Sequence, residues 1–274
     1  MSTLKFRVAL FATVAVLFLP WGCSSNDLLV PAGTVTVSTA GGDFLTAQAA
    51  IDASPPGTRI EIVGTVDGQV IVNKSVTLAG VAAGSTLRMQ GAPVAAPDES
   101  ASTASSSAVL IIRDTNGVTI ENMTLSGPED GIQIRNSTAI TVIGINASNN
   151  GDDGIDIRSS SAVTVSGGTF SGNGDVGVQV RDGSDDVMIS DVTADSNVDR
   201  GARIRESNDV SLIMANSTNN GDDGVLVRDM TGTLIDGCTI TGNMGEGLHI
   251  RNSPDTVEQN NTVAGNSGGE IVID

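Results

Sequence analysis

A five-residue segment, glycine-apolar-any-apolar-arginine, recurs through the second half of the chain and constrains the fold more than any other feature. It reads "GIQIR" from Gly131, "GIDIR" from Gly154, "GVQVR" from Gly177, "GARIR" from Gly201, "GVLVR" from Gly224 and "GLHIR" from Gly247. The successive steps are 23, 23, 24, 23 and 23 residues. A fixed period of about 20 to 50 residues is typical of units that stack on one another and bury a shared core.

Each repeat contains three short extended pieces. In one copy Ile155 and Ile157 alternate with a polar residue, Val163 and Val165 do the same, and a third piece ends at Phe170. Alternation with a period of two indicates strands with one buried face. Strands this short cannot bury their apolar faces alone, so the pattern predicts a β-solenoid. A leucine-rich repeat would need leucines that are absent, and a calcium-binding nonapeptide array would need a nine-residue period.

The recurring pattern "G-[IV]-x-[IV]-R…V-x-[IV]…N" resembles the repeats of the pectin-lyase-like superfamily. The resemblance implies an all-β fold, a right-handed single-stranded parallel β-helix, over about residues 33–274. Upstream, "TVSTAGGDFLTAQAAIDASPPGTRIEI" is similar to the start of many such proteins, including pectinesterases. There we expect a short N-terminal helix, capped by Asp43, that covers the open end of the solenoid. The β-helix domain is predicted at 34–274, with a flexible loop insertion at 91–107.

Stacked repeats turn like residues into columns about 4.8 Å apart. An unbroken column of asparagines stands four positions before the repeat glycine: Asn150, Asn173, Asn197, Asn220, Asn243 and Asn266. Their amides can donate to one coil and accept from the next, as in stacked amide ladders. We expect this column to be structural.

Acidic residues form a second column next to the repeat glycine. The candidate catalytic or calcium-binding members are Asp152, Asp153, Asp175, Asp199, Asp222 and Asp223. Like charges at this spacing repel by about 1 kcal/mol even in water. The column must therefore lie in solvent, bind cations such as Ca²⁺, or shift some of its pKa values upward. A solvated acidic edge is the commoner outcome.

Arginines form a third column, whose candidate polysaccharide-binding members are Arg135, Arg158, Arg181, Arg205, Arg228 and Arg251. With the glycines they predict an outer face made of an acidic edge, a flat glycine lane, a mixed centre and an arginine edge. Guanidinium groups suit the carboxylates of a polyuronate. The alternative is that the glycines serve turns and the arginine stems shield the strand edge.

Residues 1–22 have the pattern of an export signal peptide, in which Lys5 and Arg7 precede the apolar run "VALFATVAVLFL". The stretch "LPWGCSS" resembles a bacterial lipobox. The resemblance implies lipidation of Cys23, a tether over 23–33, and an outer-membrane or periplasmic lipoprotein. Ordinary cleavage and secretion is the alternative. Membrane contact would then come through the lipid anchor only.

The charge of the chain excludes one class of partner. Without the signal, 12 basic and 32 acidic residues leave a net charge of −20. Such a chain repels nucleic acid. Cys238, the other cysteine, stands among small and apolar residues, so we expect it to be buried rather than reactive.

Two functions remain open from the sequence. The first is a cell-envelope or surface binding or structural module, with acidic polysaccharide as the candidate ligand. The alternative is a polysaccharide lyase, hydrolase or epimerase acting on polyuronates. "GDDGIDI" is similar to the double-aspartate motif of polygalacturonases, but their Gly-His-Gly and Arg-Ile-Lys motifs are absent. The repetition of the aspartate pair at Asp222 and Asp223 argues against a unique active site. No cofactor other than Ca²⁺ is indicated.

Overall fold

The computed structural model describes residues 33–90 and 108–274. The predictions for the signal peptide, the lipidated Cys23, the tether up to residue 32 and the 91–107 insertion lie outside the described residues. Within these two ranges no helix is both long and apolar enough to cross a membrane.

One short helix and 25 strands make up the described fold. The first half contains β1 (Thr34–Val37), α1 (Ala47–Ala53), β2 (Arg59–Ile62), β3 (Thr65–Asp67), β4 (Val70–Val72), β5 (Thr77–Gly80), β6 (Thr86–Arg88), β7 (Ala108–Arg113), β8 (Asn116–Glu121), β9 (Thr124–Ser126), β10 (Asp130–Arg135), β11 (Thr138–Asn146), β12 (Ile155–Arg158) and β13 (Ser161–Thr169). The second half contains β14 (Val178–Arg181), β15 (Asp185–Asp195), β16 (Ala202–Arg205), β17 (Asn208–Ile213), β18 (Asn216–Thr218), β19 (Val225–Arg228), β20 (Leu234–Asp236), β21 (Thr239–Thr241), β22 (Glu246–Arg251), β23 (Val257–Gln259), β24 (Thr262–Ala264) and β25 (Gly269–Ile273).

The strands form a parallel β-solenoid, which confirms the predicted fold class. Nine strands make one sheet, in the order β25-β22-β19-β16-β14-β12-β10-β7-β4, and the other sixteen belong to a second sheet. Every strand pairing in the described residues is parallel. Each residue pairs with its equivalent one coil away, as in Ile132 with Ile155 and Asp156 with Gln179. The 23-residue spacing of the sequence is therefore the length of one coil.

The core is a stack of β-branched and leucine side chains between the two sheets. The alternation works as predicted, because Ile155, Ile157, Val163 and Val165 are all fully buried. Phe170 is the largest of the fully buried side chains in the described residues. Cys238 is buried, as expected, and burial raises the pKa of its thiol above the ordinary value.

The N-terminal helix exists, but its predicted N-cap, Asp43, is wrong. Thr46 is the N-cap of α1, and its hydroxyl accepts a hydrogen bond from the Ala49 amide at 3.2 Å. Asp43 instead accepts hydrogen bonds from the backbone and side chain of Thr36. Because the Asp43 carboxylate bonds to Thr36 and not to a helix amide, Asp43 belongs to the turn before the helix. The helix packs on β1, β2 and β4 through Ala47, Ala50 and Ile51, at the first coils of the solenoid.

Two side-chain ladders run along the stack. In the asparagine column, from Asn173 onward, each carboxamide oxygen accepts from the asparagine one coil earlier: Asn173 Nδ2 donates to Asn197 Oδ1 at 3.1 Å, and Asn197 Nδ2 donates to Asn220 Oδ1 at 3.0 Å. The backbone amides donate to the same oxygens. This arrangement satisfies buried polar groups at the point where every coil turns.

A second ladder, the serine ladder, is formed by Ser137, Ser160, Ser184 and Ser207, which follow the column arginines by two or three positions. It was not predicted from the sequence. The backbone amide of each member donates to the hydroxyl of the next, as from Ser137 to Ser160 at 3.2 Å and from Ser184 to Ser207 at 3.2 Å. Met230 interrupts the series, so the Ser207 amide faces a thioether sulfur at 3.3 Å. Sulfur is a weaker acceptor than a hydroxyl oxygen.

Candidate functional site

The outer face of the nine-stranded sheet carries the polar columns. Register places the central residues side by side, from Gln133 through Asp156, Gln179, Arg203 and Leu226 to His249. The arginine column lies beside them in the same register, as in Arg135 with Arg158 and Arg158 with Arg181. Parallel stacking with one residue per coil thus builds a continuous polar surface from residues about 23 apart in sequence.

The predicted glycine lane on this face is wrong. A Cβ at Gly154 would lie 2.8 Å from Asn173 Nδ2 and 3.0 Å from the Cβ of the buried Phe170. The repeat glycines therefore face the asparagine ladder and the core, where a side chain has no room. Alternation fails here because the chain is still turning when it reaches the glycine.

A cleft of about 260 Å³ opens on the face over β10, β12, β14 and β16. It is lined by charged and amide side chains: Glu129, Asp130, Gln133, Asp152, Asp153, Asp156, Arg158, Asp175, Gln179, Arg181, Arg203 and Arg205. Three of the candidate aspartates and three of the candidate arginines meet here. The other candidates, among them Arg135, Arg228 and Arg251, lie outside its lining.

Two buried carboxyl groups lie at the floor of the cleft. Asp153 accepts from the Val176 amide at 2.9 Å and from the Gln179 side chain, and its residue is 4 % exposed. Burial, together with the charges of Asp156, Asp152 and Asp175, raises the pKa of Asp153 to about 7. Burial and the neighbouring Asp153 raise the pKa of Asp130 to about 8. Both groups therefore hold protons at pH values where ordinary aspartates are ionised.

Asp156, in the central column, is fully enclosed in an ion pair. Arg181 donates to it with Nε at 2.9 Å and with a terminal nitrogen at 2.8 Å, and the Asp156 side chain is 1 % exposed. This two-bond geometry is the strongest form of a guanidinium–carboxylate contact. The pair joins adjacent coils and fixes one wall of the cleft.

The acidic column does not form one continuous site. Arg200 contacts Asp199 at 2.8 Å, Asp223 at 3.1 Å, and also Asp222. Arg203 contacts Asp199 and approaches Asp175 at 3.7 Å. Sequence reasoning assigned no role to Arg200, although it occupies the column position that is acidic at Asp153 and Asp223. The interruption of the acidic column at Arg200 is the sequence signal that could have identified this role.

The carboxylate oxygens of Asp152, Asp153 and Asp175 remain together, within 4.8 Å of one another. An all-oxygen set of this kind is the chemistry that Ca²⁺ prefers. Asp199, Asp222 and Asp223 surround Arg200 instead, and their oxygens are not part of this cluster. A calcium site remains a prediction for the first three residues only.

Arginines of the column form ion pairs mainly with acidic residues. These stand directly after the same arginine or directly after the column arginine of the adjacent coil. Arg205 contacts Glu206 at 3.2 Å, and Arg228 contacts Glu206 at 3.4 Å and Asp229 at 3.3 Å. These partners are exposed, and exposed ion pairs contribute only about 0 to 1 kcal/mol each. A polyanion could therefore replace them at small cost.

Comparison with known proteins agrees with the solenoid. A family model described as "Right handed beta helix region" matches residues 107–267. The chain belongs to this family. The handedness expected from the sequence is thereby confirmed.

Two solved structures share the architecture of this right-handed β-helix. Pectate lyase Pel9A aligns with a TM-score of 0.65 at 14% identity, covering 90% of this chain and 76% of its own. DFA-IIIase from Arthrobacter chlorophenolicus A6 aligns with a TM-score of 0.54 at 12% identity, covering 72% and 61%. At such identities the likeness shows the fold alone. No curated protein sequence matches the chain.

Proposed function

We propose that the cleft over β10, β12, β14 and β16 binds an acidic polysaccharide of the polyuronate class. The supporting observation is that four guanidinium groups, those of Arg158, Arg181, Arg203 and Arg205, line one cleft on an otherwise strongly acidic protein. Guanidinium groups recognise carboxylates through paired hydrogen bonds. The cleft runs along the face of a solenoid, which suits an extended chain.

Protonation of the cleft floor makes this binding electrostatically reasonable. Six acidic residues and four arginines line the cleft. With Asp130 and Asp153 protonated, four negative and four positive charges remain, so the cleft itself is neutral. Binding should therefore weaken as the pH rises through about 7 to 8 and both groups ionise. The likeness to a pectate lyase supports the same ligand class.

The test is calorimetric titration with oligomers of alginate and pectate, with an uncharged oligosaccharide as the ligand control. Arg205→Gln should weaken binding about 10- to 100-fold, as loss of a charge-assisted hydrogen bond costs about 1.5 to 3 kcal/mol. Arg88→Gln is the matched control, because Arg88 pairs with Asp67 outside the cleft. Equal affinity for the uncharged ligand, or no effect of Arg205→Gln, would refute the proposal.

A second candidate function is polyuronate-modifying catalysis, as a lyase, hydrolase or epimerase. Asp153 favours it, because a carboxyl group with a pKa of about 7 can both donate and accept a proton near neutrality. Its neighbours Asp152 and Asp175 supply carboxylates on the same and the next coil. Unsaturated products, new reducing ends or C5 inversion, each lost in Asp153→Asn, would establish turnover. Saturable binding without any product would leave the binding function alone.

We also propose that the protein is exported and anchored by a lipid on Cys23, from the lipobox-like "LPWGCSS". Mass spectrometry of the N-terminal peptide tests this directly. An acylated Cys23 is expected, and the Cys23→Ala variant should lose membrane association. An unmodified N-terminus produced by cleavage elsewhere would show ordinary secretion instead.

A further inference from the structure

Farther along the same face, a second cluster surrounds the single histidine of the chain. His249 lies in β22, outside the polysaccharide cleft, and its side chain is 13% exposed. Its Nδ1 is 3.5 Å from Asp223 Oδ2 and 3.6 Å from Glu246 Oε2. Asp223 comes from the preceding coil, so stacking brings the three groups together.

These separations fit ligands around an ion better than they fit hydrogen bonds. Both are longer than the 2.7 to 3.2 Å range typical of N–H···O bonds in general. Metal–ligand bonds of about 2.0 to 2.2 Å at tetrahedral angles place ligand atoms about 3.3 to 3.6 Å apart. His249 Nδ1 therefore already lies at such ligand–ligand distances from both carboxylates, and ligand atoms of all three groups lie within 4.8 Å of one another.

The surroundings of the cluster also resemble those of a metal centre. Arg200 Nε donates to Asp223 Oδ2 at 3.1 Å, and the Glu246 amide donates to Asp223 Oδ1 at 3.0 Å. Carboxylates that bind metals are commonly held by such outer hydrogen bonds. On the far side of the imidazole, the buried Nε2 atom has no hydrogen-bond partner among residues 33–90 and 108–274, and the Asp274 carboxylate lies 3.6 Å from it. A carboxylate behind the second ring nitrogen is the usual partner of a metal-bound histidine.

Gly245 keeps the carboxylate edge of the cluster open. It stands where the acidic column would continue, and a Cβ there would lie 2.6 Å from Asp223 Oδ1 and 2.7 Å from Asp222 Oδ1. Its φ is not in the left-handed region, but a Cβ would also lie 2.7 Å from the Asp223 backbone nitrogen. The glycine therefore allows both the close approach of the two coils and the space beside the carboxylates.

We propose that Asp223, Glu246 and His249 bind a divalent transition-metal ion of the zinc class. One imidazole and two carboxylates suit zinc better than calcium, which prefers oxygen ligands alone. Water would complete the coordination. This site is separate from the polysaccharide cleft and does not depend on the function proposed for it.

The test is calorimetric titration of the chelator-treated protein with zinc chloride, and separately with calcium chloride. Zinc should bind at about one ion per chain, and His249→Gln and Glu246→Gln should each weaken it at least about tenfold. Asp152→Asn is the matched control, since it removes a carboxylate from the other cluster and should leave zinc affinity unchanged. Unchanged melting temperatures without metal would show that the variants are folded, and X-ray absorption at the zinc edge should show an imidazole ligand.

Three results would overturn the proposal. The first is no zinc binding by the unmodified protein. The second is equal zinc affinity in His249→Gln, which would place the ion on carboxylates alone. The third is loss of binding in Asp152→Asn but not in His249→Gln, which would assign the metal to the cleft. Because oligosaccharide titration is a separate measurement, failure here leaves the polysaccharide proposal intact.

Discussion

Removing one rung of the asparagine ladder should destabilise the solenoid by several kcal/mol. Asn197 is 2% exposed and lies in the middle of the column. Its Oδ1 accepts from the Asn173 amide at 3.0 Å and from Asn173 Nδ2 at 3.1 Å. In Asn197→Ala both donors of the fully buried Asn173 lose their partner.

The magnitude follows from those two donors. A buried donor without a partner costs about 1 to 3 kcal/mol, so two cost about 2 to 6 kcal/mol. The backbone amide of residue 197 still donates to Asn220 Oδ1 at 2.9 Å, so Asn220 loses only one of the two hydrogen bonds it accepts from that residue. Water entering the small cavity would satisfy part of the loss. We therefore expect about 3 kcal/mol, toward the lower end of the range given by unsatisfied groups.

Urea unfolding of the full chain, followed by circular dichroism, measures the effect as a shift of the midpoint at constant slope. Asn146→Ala is the matched control, because Asn146 is exposed at the end of β11; exposed substitutions usually stay within about 0.5 kcal/mol. Asn197→Asp keeps the acceptor but buries a charge, so it should be more harmful at pH 8 than at pH 4. If Asn197→Ala and Asn146→Ala unfold at the same urea concentration, the ladder contributes nothing and the reasoning is wrong.

Three further predictions concern the outer face and the serine ladder. The pKa of Asp153 is raised to about 7, so its contribution to stability is complete below about pH 4 and is lost as pH rises through 7; the melting temperature should fall less between pH 5 and 8 in Asp153→Asn than in the unmodified protein. Asp156→Ala removes two charge-assisted hydrogen bonds from the Arg181 guanidinium, whose side chain is 23% exposed and keeps Asp182 as a partner at 3.3 Å. It should cost about 1.5 to 3 kcal/mol in urea unfolding, most of which Asp156→Leu combined with Arg181→Met should restore. Met230→Ser offers a hydroxyl to the Ser207 amide, so hydrogen exchange at that amide should slow, even if the lost side-chain volume lowers overall stability.

The fold could be predicted because the same physical requirement, burial of an apolar strand face, recurs in every repeat. Every coil must bury the same alternating apolar residues, so the period of the sequence equals the length of the coil. The asparagine column was visible for the same reason, since its spacing is unbroken. The serine ladder was missed because its signal is irregular: Gly183 shifts Ser184 by one position, and Met230 replaces one member.

The candidate site was less predictable, because it depends on which carboxylates the long arginine side chains contact. Sequence placed Asp152 and Asp153 in one column with Asp222 and Asp223, but it could not show that Arg200 extends across a coil to contact the second pair. The N-cap of α1 shows the same limit. Asp43 and Thr46 are both good capping residues, and only the contact between Asp43 and Thr36 decides between them.

Arg200 explains how a repeating surface can carry two different chemistries. The column position before the repeat glycine is acidic at Asp130 and Asp153, then valine at Val176, then Arg200, then acidic again. The guanidinium contacts Asp199, Asp222 and Asp223, and it lies between the cleft, whose buried acids hold protons, and the cluster around His249. Leu226, 6% exposed, makes the same division in the central column, because it lies between Arg203 and His249 in register. The stacked coils supply the positions, and single departures from the repeat determine which of them carry guanidinium groups and which carry carboxylates beside an imidazole.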